Sequence, residues 1–309
     1  MTRTVWLASY PKSGNTWFRM LVANLLCEDG SSADINNLAE RGGLASARAP
    51  FDHLLLIESG LLTHDEIDRL RPRVYEELAR GADDDAYDAP QGDPPVRFVK
   101  AHDAYTLTPD GEPLLAGARG ADGAIVIVRD PRDVAPSLAN HNGSSIDEAV
   151  AFMNDSRAAF SGRTDRQHRQ LRQQLPGWSR HVGTWLDQTD IPVHLVRYED
   201  LLADTIGVFS QALAFAGRAA SAEKIRQAVA AAEFSRLKQQ ERERGFREAS
   251  RRTPSGNFFR RGQAGGWRDE LRREQVARIE AEHAPMMQRL GYEFASARAT
   301  AHANMVSVA

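Results

Sequence analysis

The chain has 309 residues, 42% of them hydrophobic and 26% charged, which suits one large α/β domain or two smaller ones with a sizeable core. A net charge of -3 excludes a global positive field that would gather nucleic acid or an anionic membrane, so any anion site must be local. The single cysteine, Cys27, excludes an internal disulfide and a Cys-rich zinc site.

Elements follow in chain order. Val5, Trp6, Leu7 and Ala8 form an apolar run of buried-strand length, and Pro11, Ser13, Gly14 and Asn15 then supply turn chemistry. That run is too short for the core of a secretion signal, and no apolar stretch approaches the ~18 residues of a membrane span. With the lone cysteine, this gives a cytoplasmic expectation with no membrane partner. From Trp17 the apolar residues Met20, Leu21, Leu25 and Leu26 recur at helical spacing. Strand, turn and helix deliver unpaired N–H groups to a helix N-terminus, beside the charge of Lys12 and the hydroxyls of Ser13 and Thr16. This is a phosphate cradle, yet Lys12 precedes Gly14 and no earlier glycine is present, so the Walker A pattern fails.

Residues 28–50 read as a long irregular connection near a pocket. Thr63 and Glu66 form a capping-box spacing that opens a helix to about Arg80, and residues 81–95 read as a solvated acidic loop. Residues 96–100 make a second strand with Lys100 and His102 at its C-terminal end, the sheet edge where ligands bind in open α/β folds. Residues 124–128 are apolar throughout, as in a central strand covered on both faces. Ser145 and Glu148 open another helix, Trp178, Val182, Trp185 and Leu186 share a helical face, and residues 193–197 make a fourth strand. Helices follow at about 200–216 and 222–232. The basic segment 236–252 reads either as an exposed helix with a loop or as a lid over an anion, and a last helix covers about 269–289. Alternating strands and helices imply a parallel sheet. The expected organisation is a single domain over residues 1–294 and a flexible tail over 295–309.

Residues 10–17, YPKSGNTW, resemble the 5'-phosphosulfate loop of the sulfotransferases that use PAPS (3'-phosphoadenosine 5'-phosphosulfate). Asn15 stands where that family usually has Thr. Residues 128–133, VRDPRD, with Ser137 eight positions after Arg129, resemble the family's 3'-phosphate segment. By its spacing the same unit points a cation and a hydroxyl at an anion near a helix N-terminus. Residues 259–267, FRRGQAGGW, resemble the late basic segment that also holds the 3'-phosphate, with Arg261 for the commoner Lys and Gly266 for the usual Asp. The resemblance implies a P-loop-like three-layer α/β/α fold with a central parallel sheet and helical or irregular insertions that form the acceptor pocket.

It further implies that Lys12, Ser13, Gly14, Asn15, Thr16, Arg129, Ser137, Arg260, Arg261 and Gly262 hold the donor's phosphates, while Trp17 and Phe234 sandwich the adenine and Tyr198 bonds it. Trp17 and Phe234 read equally well as core aromatics. His102 would be the general base, with Lys12 and Lys100 offsetting charge on the leaving phosphate and the transferring group; no metal is expected. A histidine near its ordinary pKa of ~6.5 can take an alcohol's proton at neutral pH. The implied activity is sulfuryl transfer from PAPS to a small-molecule hydroxyl acceptor, giving a sulfate ester and 3',5'-ADP. The alternatives are a kinase of related fold and a non-catalytic nucleotide-binding protein. Phe51, Leu54, Leu55, Phe152, Phe160 and Phe246 lean the acceptor toward a hydrophobic alcohol or phenol.

Overall fold

The computed structural model describes residues 2–27, 31–41, 43–80, 95–250, 253 and 256–295. The acidic loop over 81–94 and the tail from 296 onward lie outside the described residues. Four strands, β1 (Arg3–Ser9), β2 (Val96–Ala101), β3 (Gly123–Val128) and β6 (Val193–Arg197), form a parallel sheet in the order β2-β1-β3-β6. A two-residue ribbon, β4 (Ala159–Phe160) against β5 (Gln173–Gln174), stands apart from it.

Residue alternation along the strands splits the core into two layers. Trp6, Ala8, Val99, Ala101, Ala124, Val126 and Val128 face one side. There they meet helices α2 (Arg48–Leu55), α3 (His64–Arg80), α4 (Pro131–Asn142), α5 (Ile146–Asn154), α6 (Trp178–Asp187) and α12 (Arg273–Arg289). Val5, Leu7, Phe98, Ile125 and Ile127 face the other, against α1 (Asn15–Leu25), α7 (Tyr198–Ala203), α8 (Thr205–Phe215), α9 (Ala222–Ala231) and α10 (Phe234–Arg244). Strand β3 is buried at every position because it carries helices on both faces and strands at both edges. The parallel sheet and the three layers match the sequence expectation.

Local signals account for most boundaries. Ser145 and Glu148 close a reciprocal capping box at α5, and Thr63 with Glu66 does the same before α3. Two expected helices are divided. The one expected over 200–216 breaks at Asp204, whose φ of -135° leaves the helical region and whose carboxylate caps α8 by accepting from Gly207 N at 2.9 Å. The last is split into α11 (Trp267–Glu270) and α12 at Arg272, where Gln275 accepts from the Arg272 N–H at 2.9 Å.

Candidate active site

The turn between β1 and α1 is shaped by two left-handed residues, Lys12 at φ 70° and Gly14 at φ 104°. A lysine there is strained, a conformation kept where the surroundings impose it and common at functional sites. A Cβ on Gly14 would lie 2.6 Å from the Tyr198 ring, so only glycine lets the loop rest on that tyrosine. Asn15 closes the turn by donating from Nδ2 to Leu7 O at 2.8 Å and to Ser9 Oγ at 3.2 Å. Its Nδ2 is therefore spent on the strand, whereas among the described residues Asn15 Oδ1 and Ser13 Oγ are buried with no protein partner.

Where β2 ends, Lys100 and His102 turn to the same cavity. His102 Nδ1 lies 2.9 Å from Ser9 O, and a carbonyl only accepts, so Nδ1 carries the proton and Nε2 keeps its lone pair. The next residue anchors the turn. Asp103 is fully buried and takes Arg71 in two bonds of 3.1 and 2.6 Å plus Gln174 N at 2.9 Å, while His181 Nε2 donates to His102 O at 2.9 Å. Burial and the nearby Lys100 charge push His102 well below the ordinary histidine range, against the pull of the Ser9 carbonyl. It is thus neutral at pH 7, which corrects the expectation of a near-ordinary pKa.

Lys100 is not bare. Its Nζ lies 2.9 Å from Glu248 Oε2, and Arg19 approaches the same carboxylate at 2.8 Å. Burial lowers the Lys100 pKa while Glu248 opposes the shift. Burial alone would raise Glu248, but Lys100 and Arg19 outweigh it and hold the carboxyl at about 2. Lys12 has no such counter-charge in contact: its Nζ sits 3.7 Å over the Phe258 ring. Burial, then Lys100 and Arg129, bring its pKa down to about 7.

Arg129 crosses from β3 to the loop, donating to Lys12 O at 3.3 Å and to Gln263 O at 2.9 Å, with its guanidinium 4.4 Å over Tyr198. Its Nε is buried without a partner. Ser137 lies midway along α4 rather than at its start, and the α4 N-terminus is capped by Asp130, which accepts from Arg132 N. The expected helix-end anion site in this unit is therefore filled by the chain's own carboxylate; the cavity meets Arg129 and Ser137 instead.

Asp133, which sequence reasoning left unassigned, accepts from Gly265 N at 2.6 Å and Trp267 N at 2.8 Å. This draws residues 260–262 beside Arg129. It also answers the Gly266 departure, since Trp267 is buried between Arg132 and Arg268 with its backbone held by Asp133. Gly262, at φ 63°, presses so closely on the Phe234 ring that a Cβ would approach to 2.2 Å. Arg260 is paired with Glu270. Trp17 bonds Ala232 O at 3.1 Å and meets Tyr198 edge-on at 5.8 Å.

These parts enclose one cavity of about 410 Å³, the size class of small-ligand sites. Every predicted site residue except Ser13 lines it: Lys12, Gly14, Asn15, Thr16, Trp17, Lys100, His102, Arg129, Ser137, Tyr198, Phe234, Arg260, Arg261 and Gly262. Sequence reasoning missed Leu44, His141, Gln173, Glu248 and Phe258, which complete the wall. Of the apolar residues expected in an acceptor pocket, Phe160 lines the cavity. Phe152 stacks behind Phe160 and Phe246 behind Phe258, while Phe51 belongs to the core. Of segment 236–252, residues 236–250 are described: α10 is followed by a loop whose Arg247 and Glu248 stand on the wall. Among the described residues, no group of three or more His, Cys, Asp or Glu side chains could hold a metal ion, and no helix is long and apolar enough to cross a membrane.

A family model described as "Sulfotransferase domain" matches residues 122–291, more than half of the chain. The chain belongs to the sulfotransferase family. Luciferin sulfotransferase of Photinus pyralis is 24% identical over 282 residues, spanning 89% of this chain and 69% of its own. Among solved structures, retinol dehydratase in complex with androsterone and inactive cofactor PAP shares 22% identity over 92% of this chain and 80% of that one, with a TM-score of 0.57. A mouse sulfotransferase complexed with PAP shares 16% over 92% and 84%, at 0.54. At these identities the structural likeness is one of fold. The residues of this sulfotransferase fit a doubly phosphorylated nucleotide: among the described residues, Ser13 Oγ and Arg129 Nε are buried donors without partners.

Proposed function

We propose that this sulfotransferase moves a sulfuryl group from PAPS to the hydroxyl of a small alcohol or phenol, with His102 as general base. The observation that carries the reading is convergence: the Lys12 loop, the Lys100–His102 turn, the Arg129–Ser137 unit and the 260–262 loop line one cavity. Two cationic ends, Lys12 with Lys100 and Arg129 with Arg260 and Arg261, suit a ligand bearing phosphate groups at both ends of a nucleoside. Trp17, Tyr198 and Phe234 lie among the lining residues, which supports a base stacked by Trp17 and Phe234 and bonded by Tyr198. The relatives' names carry luciferin, retinol and androsterone, which supports a small acceptor of low polarity.

PAPS supplies the sulfuryl group when bound. The roles of the chain's residues follow from their protonation. His102 Nε2 holds a lone pair, takes the acceptor's hydroxyl proton, and is fixed in that tautomer by Ser9 O. As the bond from sulfur to the acceptor oxygen forms and the bond from sulfur to the 5'-phosphate oxygen breaks, Lys12 and Lys100 offset the charge left on the phosphate. Asn15 and Asp103 act through others, the first holding Ser9 and the second holding the turn after His102.

A thermal-shift comparison tests the reading. We expect 3',5'-ADP to raise the melting temperature more than ATP with Mg²⁺, and labelled PAPS to yield a sulfate ester with a panel of phenols and alcohols. A larger shift with ATP would overturn it.

A further inference from the structure

The acceptor end of the cavity carries polar groups that a purely apolar acceptor would strand. Phe160 and Gln173 are cross-strand partners in the β4–β5 ribbon, so their side chains stand together on one face, and both line the cavity. The ribbon is tied to the turn that holds His102. Gln174 N donates to Asp103 Oδ1 at 2.9 Å, and Ala104 N donates to Gln174 O at 2.8 Å. Gln173 is therefore the neighbour of Gln174, which is bonded to the residues following His102.

Gln173 is 1% exposed. Its Nε2 donates to Gln170 Oε1 at 2.5 Å, and its Oε1 has no protein partner. Facing the same space, His141 lies with its ring 6.3 Å from Phe160 and 6.4 Å from Phe258, and its Nδ1 is also buried without a partner. Burial, with Lys12 and Lys100 nearby, brings the His141 pKa down to about 3, so the ring is neutral. Phe160 and Phe258 thus both approach the neutral His141 ring, and the Gln173 oxygen stands beside Phe160. A buried amide oxygen without a hydrogen bond is disfavoured, so a ligand that supplies one gains affinity over a ligand that does not.

We propose that the β4–β5 ribbon is an acceptor-reading subsite, in which Gln173 Oε1 takes a hydrogen bond from a second donor group on a planar acceptor lying against Phe160, with His141 alongside. The acceptor class is then a flat aromatic molecule carrying two polar groups, one hydroxyl at His102 and a further hydroxyl or N–H at Gln173. A simple apolar alcohol satisfies only the first. This deepens the sulfotransferase reading and rests on it only for the placement of the reacting hydroxyl.

The test uses binding, so that it does not depend on turnover. The full chain, saturated with 3',5'-ADP, is titrated by calorimetry with the isomeric dihydroxynaphthalenes, their monomethyl ethers and the two naphthols. We expect at least one diol to bind about tenfold or more tightly than both its methyl ether and the parent naphthol. In Gln173→Leu, and separately in His141→Phe, that ratio shrinks toward one. Folding of each variant is checked by its 3',5'-ADP melting shift, and the wild-type ratios stand as a test should either variant fail to fold. If no diol outbinds both its counterparts, or if the ratio survives in a folded Gln173→Leu protein, the subsite is refuted. Failure of 3',5'-ADP to bind would instead overturn the sulfotransferase reading, and the same series titrated without it would still decide the role of Gln173.

Discussion

As the proposed phosphate ligand, Lys12 should make nucleotide binding pH-dependent in a range where an ordinary lysine is silent. The free protein holds this group at about pKa 7, because burial and the charges of Lys100 and Arg129 disfavour the ammonium. A phosphate dianion against Nζ favours the ammonium again and moves the pKa back toward 10.5, the ordinary value. Between those limits, binding draws in one proton. Affinity for 3',5'-ADP should therefore fall about tenfold, or about 1.4 kcal/mol, for each pH unit above about 7.5. The same shift acts on folding. From about pH 7 to 10.5 the unfolded chain holds a proton at Lys12 that the folded chain lacks, so this group's contribution to stability rises with pH across that window and its penalty is fully present below it. Calorimetry at pH 7.5, 8.5 and 9.0, in buffers of different ionisation enthalpy, measures both the slope and the proton count. Lys12→Arg removes the titration and should flatten the slope. A wild-type dissociation constant constant over that range, with a buffer-independent enthalpy, would refute the reasoning.

His102→Ala should retain the 3',5'-ADP melting shift and lose transfer by roughly 10²–10⁴-fold, the usual contribution of a positioned base; full activity in the variant would remove His102 from the mechanism. Glu248→Gln leaves Lys100 and Arg19 without their shared carboxylate, at 2.9 and 2.8 Å in the native site. Loss of these charge-assisted bonds should cost roughly 1–3 kcal/mol in the free protein, and 3',5'-ADP should recover part of it, so the ligand-induced melting shift becomes larger than in wild type. An unchanged or smaller shift would show that Glu248 does not balance the cations of the phosphate site. Asp103→Asn strips the fully buried Arg71 of its bidentate partner and should destabilise by roughly 3–5 kcal/mol in urea unfolding; a loss under 1 kcal/mol would mean that Asp68, Tyr75 and the Arg172 carbonyl satisfy Arg71 without it.

What the sequence discloses divides along the line between local and non-local causes. The sheet, its parallel sense and the capping boxes at Thr63 and Ser145 were legible because periodicity and capping act within a few residues. The cradle was legible too, since strand, loop and helix are contiguous and Lys12, Gly14 and Thr16 lie within it. Asp204 shows the limit of periodicity: the apolar pattern runs across it, and the break comes from a carboxylate that prefers to cap Gly207 N rather than continue the helix. Asp133 shows another limit. Its partners, Gly265 and Trp267, lie far along the chain, and nothing in the spacing of the 128–133 segment announces that this carboxylate fastens the basic loop before Trp267.

The acceptor wall was least legible because its residues arrive singly from elements that have other duties. His141 ends α4 and Gln173 sits in a two-residue ribbon. Glu248 follows a basic helix whose composition fits an exposed face as well as a lid over an anion. The consequence is chemical as well as topological. Composition at the acceptor segments pointed to an apolar pocket through Phe51, Phe152 and Phe246. In the fold those rings withdraw to the core or to the second row, and the groups left at the surface of the cavity are Phe160 and Phe258 together with Gln173 and His141. A burial pattern reports which side chains avoid water, but not which of them stop short of it at a ligand. That distinction shifts the expected acceptor from a greasy alcohol to a flat molecule with a second polar group.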